Sequence, residues 1–375
     1  MIIGIDASRS VSGGAIEYLK GIFKDDPNKT KKFIKIYIWA PSYTLRKLPN
    51  YSWLKKVSID HLGNILLLKI FWQIFCLPRV CKNLGVKILF NTDAGSLCPF
   101  KPSVTLVQDI LPFDDSIIKK YKWYQSSFYR IILLRFVSIR RLKQTNHIIF
   151  LSKYSKKVFN KFFQIKNYSI IPHGVDKSFY KIRFKNIKKN LNSINVLYIS
   201  NALIYKNQWN VIEAISKIKN KYRINIKLKI VGGGKGLALR KMHLAKKNYD
   251  KHNEYITLAG FHSKKQLIKD YENSHIFVFA SSCEAFGITL LEAMSTGIPI
   301  ACSNKSALPE IIGNNTIYFD PENSDEIAKS IMKIIKNKKL RKKISKGSKI
   351  RSKFFDWKKF SRLTWETLYK TARLN

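Results

Sequence analysis

The chain is expected to fold as α/β, with two Rossmann-like doubly wound parallel-sheet units in series, and three observations lead there. Short β-rich runs alternate with longer helical stretches along the whole sequence, the pattern of a parallel sheet covered by helices on both faces. The series breaks once, at the polar, basic stretch from Lys181 to Asn192, and then starts again. The length of 375 residues exceeds what one hydrophobic core accommodates and suits two domains of ordinary size.

The first series opens with Met1 to Asp6, a β-rich run followed by the glycine turn Ser12-Gly13-Gly14 and a helical pattern through Ala15, Tyr18, Leu19 and Ile22. That is strand, turn, helix. Further strand-like runs fall at Phe33 to Trp39, Lys87 to Phe90, Val104 to Val107 and His147 to Leu151. The second series has strand patterns at Asn195 to Ile199, Ile226 to Val231, Ile256 to Leu258, Ile276 to Ala280, Ile300 to Ala301 and Thr316 to Phe319, with helices between them. From Ser324 onward the pattern is helical, and Trp357, Phe360, Leu363, Trp365 and Leu368 form an apolar stripe that must pack on something. The most apolar run, Ile65 to Leu77, is interrupted by Lys69 and Gln73 and falls short of the ~20 residues a membrane-spanning helix needs.

Composition narrows the function classes. A hydrophobic fraction of 45% and an aromatic fraction of 13% supply a core and argue against disorder. Lys and Arg number 69 against 24 Asp and Glu, a formal charge of +45. Three readings of that charge stay open: nucleic-acid binding, attraction to an anionic membrane surface or phosphorylated substrates, and compositional drift, which the abundance of Lys, Ile, Asn and Phe fits. No recognisable nucleic-acid-binding motif is present, which makes nucleic acid an unfavoured partner. Cys76, Cys81, Cys98, Cys283 and Cys302 are odd in number and lack C-x-x-C spacing, against a disulfide framework or structural zinc. Asp-x-Asp occurs nowhere, and neither Asp25-Asp26 nor Asp114-Asp115 has a partner cluster; no metal is expected. The first strand begins at Met1 without a charged leader, so the expected location is cytoplasmic, with a peripheral position at the inner face of the cell membrane as an extension of it.

The segment Ser282-Cys-Glu-Ala-Phe-Gly-Ile-Thr-Leu-Leu-Glu-Ala-Met-Ser-Thr-Gly carries the chemistry. A strand ends near Ala280, Gly287 opens a helix, and Glu284 and Glu292 stand with seven residues between them. A helix start offers backbone N–H groups and the positive end of the dipole to a diphosphate. Two carboxylates flanking it cannot both face phosphate, but both can accept hydrogen bonds from hydroxyls such as those of a sugar and a ribose.

This segment, with Ser303 to Ile312 and Asp320-Pro-Glu322 after it, resembles the E-x7-E signature of retaining glycosyltransferase family 4, whose enzymes have the two-domain GT-B fold. The resemblance implies that Glu284 contacts hydroxyls of the donor sugar, that the amides of Phe286, Gly287, Ile288 and Thr289 meet the sugar and diphosphate, and that Glu292 meets the nucleotide ribose. In Tyr198 to Gln208 it puts Lys206 on the donor phosphates, with an ordinary surface lysine as the alternative. The family's Arg position falls at Asn201, or at Ser200 under a one-residue shift, neither of them cationic. Gly13 and Gly14 correspond to a turn that the family brings against the donor or acceptor. Val107-Gln108-Asp109 resembles the family's His-Asp loop, with Gln108 where a His is usual; Asp109 belongs either to the site or to the turn itself. Gln108 can hydrogen-bond a hydroxyl but cannot titrate. His173 in Ile171-Pro-His-Gly-Val-Asp176 either reaches the cleft or packs at the hinge. Phe261, in Gly260-Phe261-His262, matches a loop near the nucleotide base, whereas Val231-Gly-Gly-Gly-Lys-Gly236 lacks dinucleotide-binding spacing and reads as a turn.

Taken whole, the resemblance implies an acceptor-side domain over 1–178, completed by a C-terminal helix over about 356–375 that crosses back to it. It implies a nucleotide-sugar domain over 190–355, with transfer in the cleft between them. The expected activity is retaining transfer of a hexose from a UDP- or GDP-linked donor, needing no cofactor, to a glycan or lipid-linked acceptor of a bacterial surface polysaccharide. A nucleotide-sugar epimerase or an inverting transferase uses the same scaffold, and a basic nucleic-acid-binding protein with a vestigial donor site is the alternative from another class. The basic and apolar run Arg130 to Arg141 reads as a surface helix on anionic lipid or as a core helix with snorkelling arginines.

Overall fold

The computed structural model describes all residues except 12, 25–32, 64, 125, 188–192 and 375, and the side chain of residue 66. Ser12, Asp25-Asp26 and the end of the 181–192 stretch therefore lie outside the described residues. The chain divides into two compact units, Met1–Gly174 with Asp356–Asn375, and Val175–Phe355.

The first unit is built on a parallel sheet of seven strands: β1 Ile2–Asp6, β2 Lys35–Ala40, β3 Leu54–Ser58, β4 Ile88–Asn91, β5 Ser103–Val107, β6 His147–Phe150 and β7 Tyr168–Ile170. Their order across the sheet is β3-β2-β1-β4-β5-β6-β7. The second unit holds β8 Ile194–Ile199, β9 Ile226–Val231, β10 Ile256–Leu258, β11 Ile276–Phe279, β12 Ile300–Ser303 and β13 Ile317–Phe319, ordered β10-β9-β8-β11-β12-β13. The central strands β4, β5, β11 and β12 are buried residue after residue, which is why they read as apolar runs without alternation. In both sheets the first three strands step one way, and the chain then crosses back beside the first strand and steps the other way. The switch points fall between β1 and β4, and between β8 and β11.

Sequence patterning passes over two strands. β3 carries Lys55, Lys56 and Ser58 on a half-exposed sheet edge, and β7 is a three-residue edge strand. Neither has enough apolar residues to stand out. The apolar run from Ile65 is helical: Leu66–Phe71, a π-helical turn Trp72–Cys76, then Leu77–Asn83. The wide turn lies just before Pro78, which has no amide to give to the ladder. Trp72, Leu77 and Cys81 point inward onto Trp39, Leu62 and Leu89.

The final helix, Trp357–Arg373, belongs to the first unit. Asp356 caps it by accepting from the Lys358 amide at 3.1 Å. Its stripe packs on the helix Gly13–Ile22: the Trp365 Nε1–H donates to the Ile22 carbonyl at 2.7 Å, and the Ser361 hydroxyl donates to the same oxygen at 2.5 Å. Trp357 lies so close over Gly21 that a Cβ there would stand 2.4 Å from the indole ring.

Residues 175–187 do not behave as a free spacer. Phe179 packs edge-on against Tyr271 at 5.9 Å, Asp176 pairs with Lys264 at 2.8 Å, and the Lys185 amide donates to the Ser274 carbonyl. The segment is polar because it lies over the outside of the second unit. It is ordered because its few apolar side chains, Phe179 first, are buried there.

Candidate functional site

The second unit's site is assembled at its switch point, where an open α/β sheet leaves a crevice at the carboxyl ends of its strands. After β8 the chain makes a 3-10 turn, Ile204–Lys206, and Asn207 takes a left-handed conformation (φ 51°) before the helix Gln208–Tyr222. Asn207 knits this loop to the one after β11, its Nδ2 donating to the Ala280 carbonyl at 3.0 Å and to Ser282 Oγ at 2.7 Å. The Ser282 amide returns a bond to the Tyr205 carbonyl at 2.7 Å.

That bracing fixes two charges. The Lys206 ammonium donates to Glu284 Oε1, and the two side chains are only 11% and 15% exposed. The ammonium also stands 5.1 Å from the centroid of the Tyr205 ring and 5.5 Å from that of Phe279. Lys206 is thus a buried, partnered cation and not an ordinary surface lysine. Glu284 is steadied from its other side by loop 303–307, its amide donating to Ser306 Oγ at 3.1 Å and its carbonyl accepting from the Ala307 amide at 3.3 Å. Its charge, with burial as the larger cause, holds the Tyr198 hydroxyl well above the usual phenol range.

Three residues on, Gly287 caps the helix Ile288–Thr296 at φ 96°, in the left-handed region. A Cβ there would stand 2.9 Å from Leu308 Cδ2, so both backbone and space require glycine. The first amides of the helix, those of Ile288 and Thr289, have no acceptor within it and face the crevice end of the sheet. The side chain of Phe286 is buried against Phe355, leaving its backbone as the part a ligand can meet. Glu292 lies half-buried in the second helical turn near Tyr271, whose hydroxyl is driven well above the usual range by burial first and then by Glu292 and Asp270.

The glycine run after β9 does more than turn. Gly232 has φ 122°, and a Cβ on it would lie 2.1 Å from the Ser200 carbonyl oxygen; the Ala202 amide donates to the Gly233 carbonyl. Gly232 also forms an isolated bridge with Gly260, and Phe261, 72% exposed, lays its ring over Gly233. Three loops after adjacent strands therefore meet backbone to backbone. Consecutive glycines were the visible signal, and only their contact partners were hidden. Beside them Asp270 accepts from Lys229 and pairs with His262, both at 2.6 Å.

In the first unit, Gly13 and Gly14 are the exposed first residues of the helix after β1, and a Cβ on Gly13 would meet nothing within 4 Å. Gln108 follows β5 and donates through Nε2 to the Thr92 carbonyl at 2.9 Å. Asp109 is exposed and accepts from the Leu111 amide at 2.8 Å, closing the turn that follows. These residues share the carboxyl edge of the first sheet. His173 takes the packed position: it is buried, with its ring edge-on to Tyr18 at 5.4 Å and to Trp357 at 5.6 Å, and burial lowers its pKa to about 3.

Sequence reading missed Asp6, which is buried at the first switch point. Its carboxylate accepts from Ser8 Oγ (2.6 Å), Ser96 Oγ (2.8 Å) and Gln73 Nε2 (2.9 Å). An aspartate ending a strand gave no signal beyond its position, because its partners come from residues far along the chain. Among the described residues, no group of three or more His, Cys, Asp or Glu could hold a metal ion.

Comparison with known proteins places these features. The family model described as glycosyl transferases group 1 matches residues 180–351, the span that contains the Lys206–Glu284 pair and the helix Ile288–Thr296. The O-antigen chain mannosyltransferase B of Escherichia coli is 32% identical over 103 residues, 28% of this chain and 27% of that enzyme. The O-antigen chain mannosyltransferase RfbU of Salmonella typhimurium is 26% identical over 263 residues, 69% of this chain and 67% of that enzyme. The match to the first of these thus spans well under two thirds of the relative's own length. Among solved structures, HepE of Anabaena in complex with UDP and glucose superposes with a TM-score of 0.72 at 16% identity, covering 98% of both chains; this likeness is one of fold. Residues 180–351 thus match the model of group 1 glycosyl transferases, and the two parallel-sheet units share the fold of HepE.

Proposed function

We propose that this chain is a retaining hexosyltransferase, moving a sugar from a UDP- or GDP-linked donor to a glycan or lipid-linked acceptor in the synthesis of a bacterial surface polysaccharide. The observation that carries the reading is the Lys206–Glu284 pair held beside the start of the helix Ile288–Thr296 at the switch point of the second unit. A diphosphate at the helix start would have the positive end of the dipole behind it and the Lys206 ammonium beside it. Glu284, released in part from Lys206 as phosphate takes the cation, would accept from donor-sugar hydroxyls, and Glu292 would accept from the ribose. Phe261, exposed near the glycine loops, offers a flat apolar face for the base. The first unit, with Gly13, Gly14, Gln108 and Asp109 on one sheet edge, would take the acceptor side.

In the retaining step the bond between the anomeric carbon and the leaving phosphate oxygen breaks, and the bond to the acceptor oxygen forms on the same face. The acceptor's hydroxyl proton passes to the departing phosphate. This route asks no base of the Gln108 position, where the side chain cannot titrate. The O-antigen mannosyltransferases among the relatives support a polysaccharide setting, and the fold shared with a UDP-bound protein supports a nucleotide-linked donor.

Calorimetric titration of UDP, GDP and ADP into the native protein, Lys206→Ala and Glu292→Ala tests the donor site. Selective binding of one nucleotide, weakened about tenfold or more by each substitution, is the expected result. Failure of the folded protein to bind any nucleotide would overturn the reading. The anomeric configuration of the product, read by NMR, then separates retention from inversion.

A further inference from the structure

The first unit carries two helices whose outward faces are apolar where solvent-facing helices are ordinarily polar. On the helical run 66–83, Leu67, Leu68, Phe71 and Phe75 are exposed at spacings that place them on one face. On the helix Ser126–Gln144, Tyr129, Ile132, Leu133 and Phe136 are exposed at i, i+3, i+4 and i+7, with Leu133 and Phe136 at 63% and 66%. Trp123 and Tyr124, just before that helix, are more than half exposed as well.

The fold brings these faces together. The connections from β3 to β4 and from β5 to β6 step across the sheet in the same direction, so right-handed crossover puts both helices on one side of it. The helices Gly13–Ile22 and Trp357–Arg373 occupy the opposite side. Most of each exposed stripe falls in the first half of its helix, towards the carboxyl edge of the sheet, where Gly13, Gln108 and Asp109 also stand. The two helices converge on one core group: Gln73 donates to Asp6, and buried Arg141 interacts electrostatically with the same carboxylate.

Charge identifies the occupant. No Asp or Glu occurs from residue 65 to 84 or from 116 to 146, while Arg79, Lys82, Lys122, Arg130 and Arg140 are exposed around the stripes. Apolar stripes set among cations, with Trp and Tyr at their margin, match a bilayer interface bearing anionic headgroups. Among the described residues no helix is long and apolar enough to cross a membrane, which leaves docking on the surface as the way such a face meets lipid.

We propose that the first unit docks on an anionic lipid bilayer through the outer faces of 67–75 and 129–136, with Trp123 and Tyr124 at the margin, setting its acceptor edge against the headgroups. The inference deepens the reading of a lipid-linked acceptor and rests on it for its purpose. Nucleotide binding, measured on the same samples, keeps the two apart.

The test is co-sedimentation of the full chain with phosphatidylglycerol vesicles and with phosphatidylcholine vesicles, using the native protein and the pairs Leu133→Asp/Phe136→Asp and Phe71→Asp/Phe75→Asp. The native protein is expected on phosphatidylglycerol in preference to phosphatidylcholine, with each pair of substitutions lowering its partition about tenfold while nucleotide binding and circular dichroism stay native. Should a pair fail to fold, quenching of native fluorescence by bromine-labelled phosphatidylglycerol, lost in Trp123→Phe, reports the same contact. Equal partition onto both lipids, partition indifferent to both substitutions, absence of Trp123-dependent quenching, or a dimer without lipid that the substitutions dissolve would each overturn the proposal.

Discussion

Lys206 and Glu284 lie 78 residues apart in sequence and meet across the two loops that follow adjacent strands β8 and β11. Their side chains are almost fully enclosed, so each charge depends on the other for its solvation. Lys206→Ala and Glu284→Ala are each expected to cost the second unit about 2–3 kcal/mol. The double variant should cost less than the sum by at least about 1 kcal/mol. Urea denaturation of the four proteins measures this cycle, and additive losses would mean that the contact carries no coupling.

Gly287 and Gly13 make a contrasting pair. Gly287 is left-handed and pressed by Leu308, whereas Gly13 has an ordinary backbone and open space at its Cβ. Gly287→Ala is expected to destabilise the second unit by at least about 1–2 kcal/mol and to weaken nucleotide binding with it. Gly13→Ala should leave stability unchanged or raised by about 0.4–1 kcal/mol. If turnover nevertheless falls in Gly13→Ala, the turn meets a ligand through its backbone; if turnover holds, its openness has no such use. Thermal unfolding beside a turnover assay separates these outcomes.

Both sheets were legible in outline because buried parallel strands announce themselves as apolar runs, as at Val104 to Val107 and Ile276 to Phe279. The edge strands were not, since β3 offers Lys55 and Lys56 where a core strand offers Val or Ile. In the site, the spacing of Glu284 and Glu292 about a glycine-opened helix was visible. The ion pair to Lys206 was not, because it depends on the strand order that sets β11 beside β8. His173 shows the opposite limit: Ile171-Pro-His-Gly fits a packed side chain or a ligand-facing one equally well, and only the rings of Tyr18 and Trp357 around it decide.

The final helix should matter to the first unit far more than a terminal segment ordinarily does. Trp365 fills the space beside Phe23 and Phe33 and gives its indole hydrogen to the Ile22 carbonyl. Trp365→Ala is expected to cost about 3–5 kcal/mol, and Trp365→Phe less, because it keeps most of the packing and loses the hydrogen bond. Calorimetric scanning should show the loss in the transition of the first unit, leaving nucleotide affinity of the second within about twofold. An unchanged transition would mean that the helix is dispensable.

Donor binding is expected to be indifferent to chelators. The cation beside the site is Lys206, held by Glu284 and by the rings of Tyr205 and Phe279, and the helix start supplies the rest of the positive potential. Nucleotide affinity in EDTA should match that in magnesium within about twofold. A loss of binding in EDTA that magnesium restores would show that a metal completes the site.

His173 should couple the first unit's stability to acid. Burial lowers its pKa to about 3, against about 6.5 in the unfolded chain. Between those values the unfolded state holds a proton that the folded state does not, so stability rises with pH across the window and is lost as pH falls below 6.5. The slope from this group reaches about 1.4 kcal/mol per pH unit. His173→Gln removes the titration while leaving the other histidines in place. The stability difference between native protein and variant is therefore expected to move against the native protein by about 2 kcal/mol from about pH 8 to about pH 5. Urea denaturation of both proteins at each pH gives that difference directly. If the two stability curves run parallel, the imidazole finds a proton acceptor or water on folding, and its enclosure between Tyr18 and Trp357 is looser than the ring contacts describe.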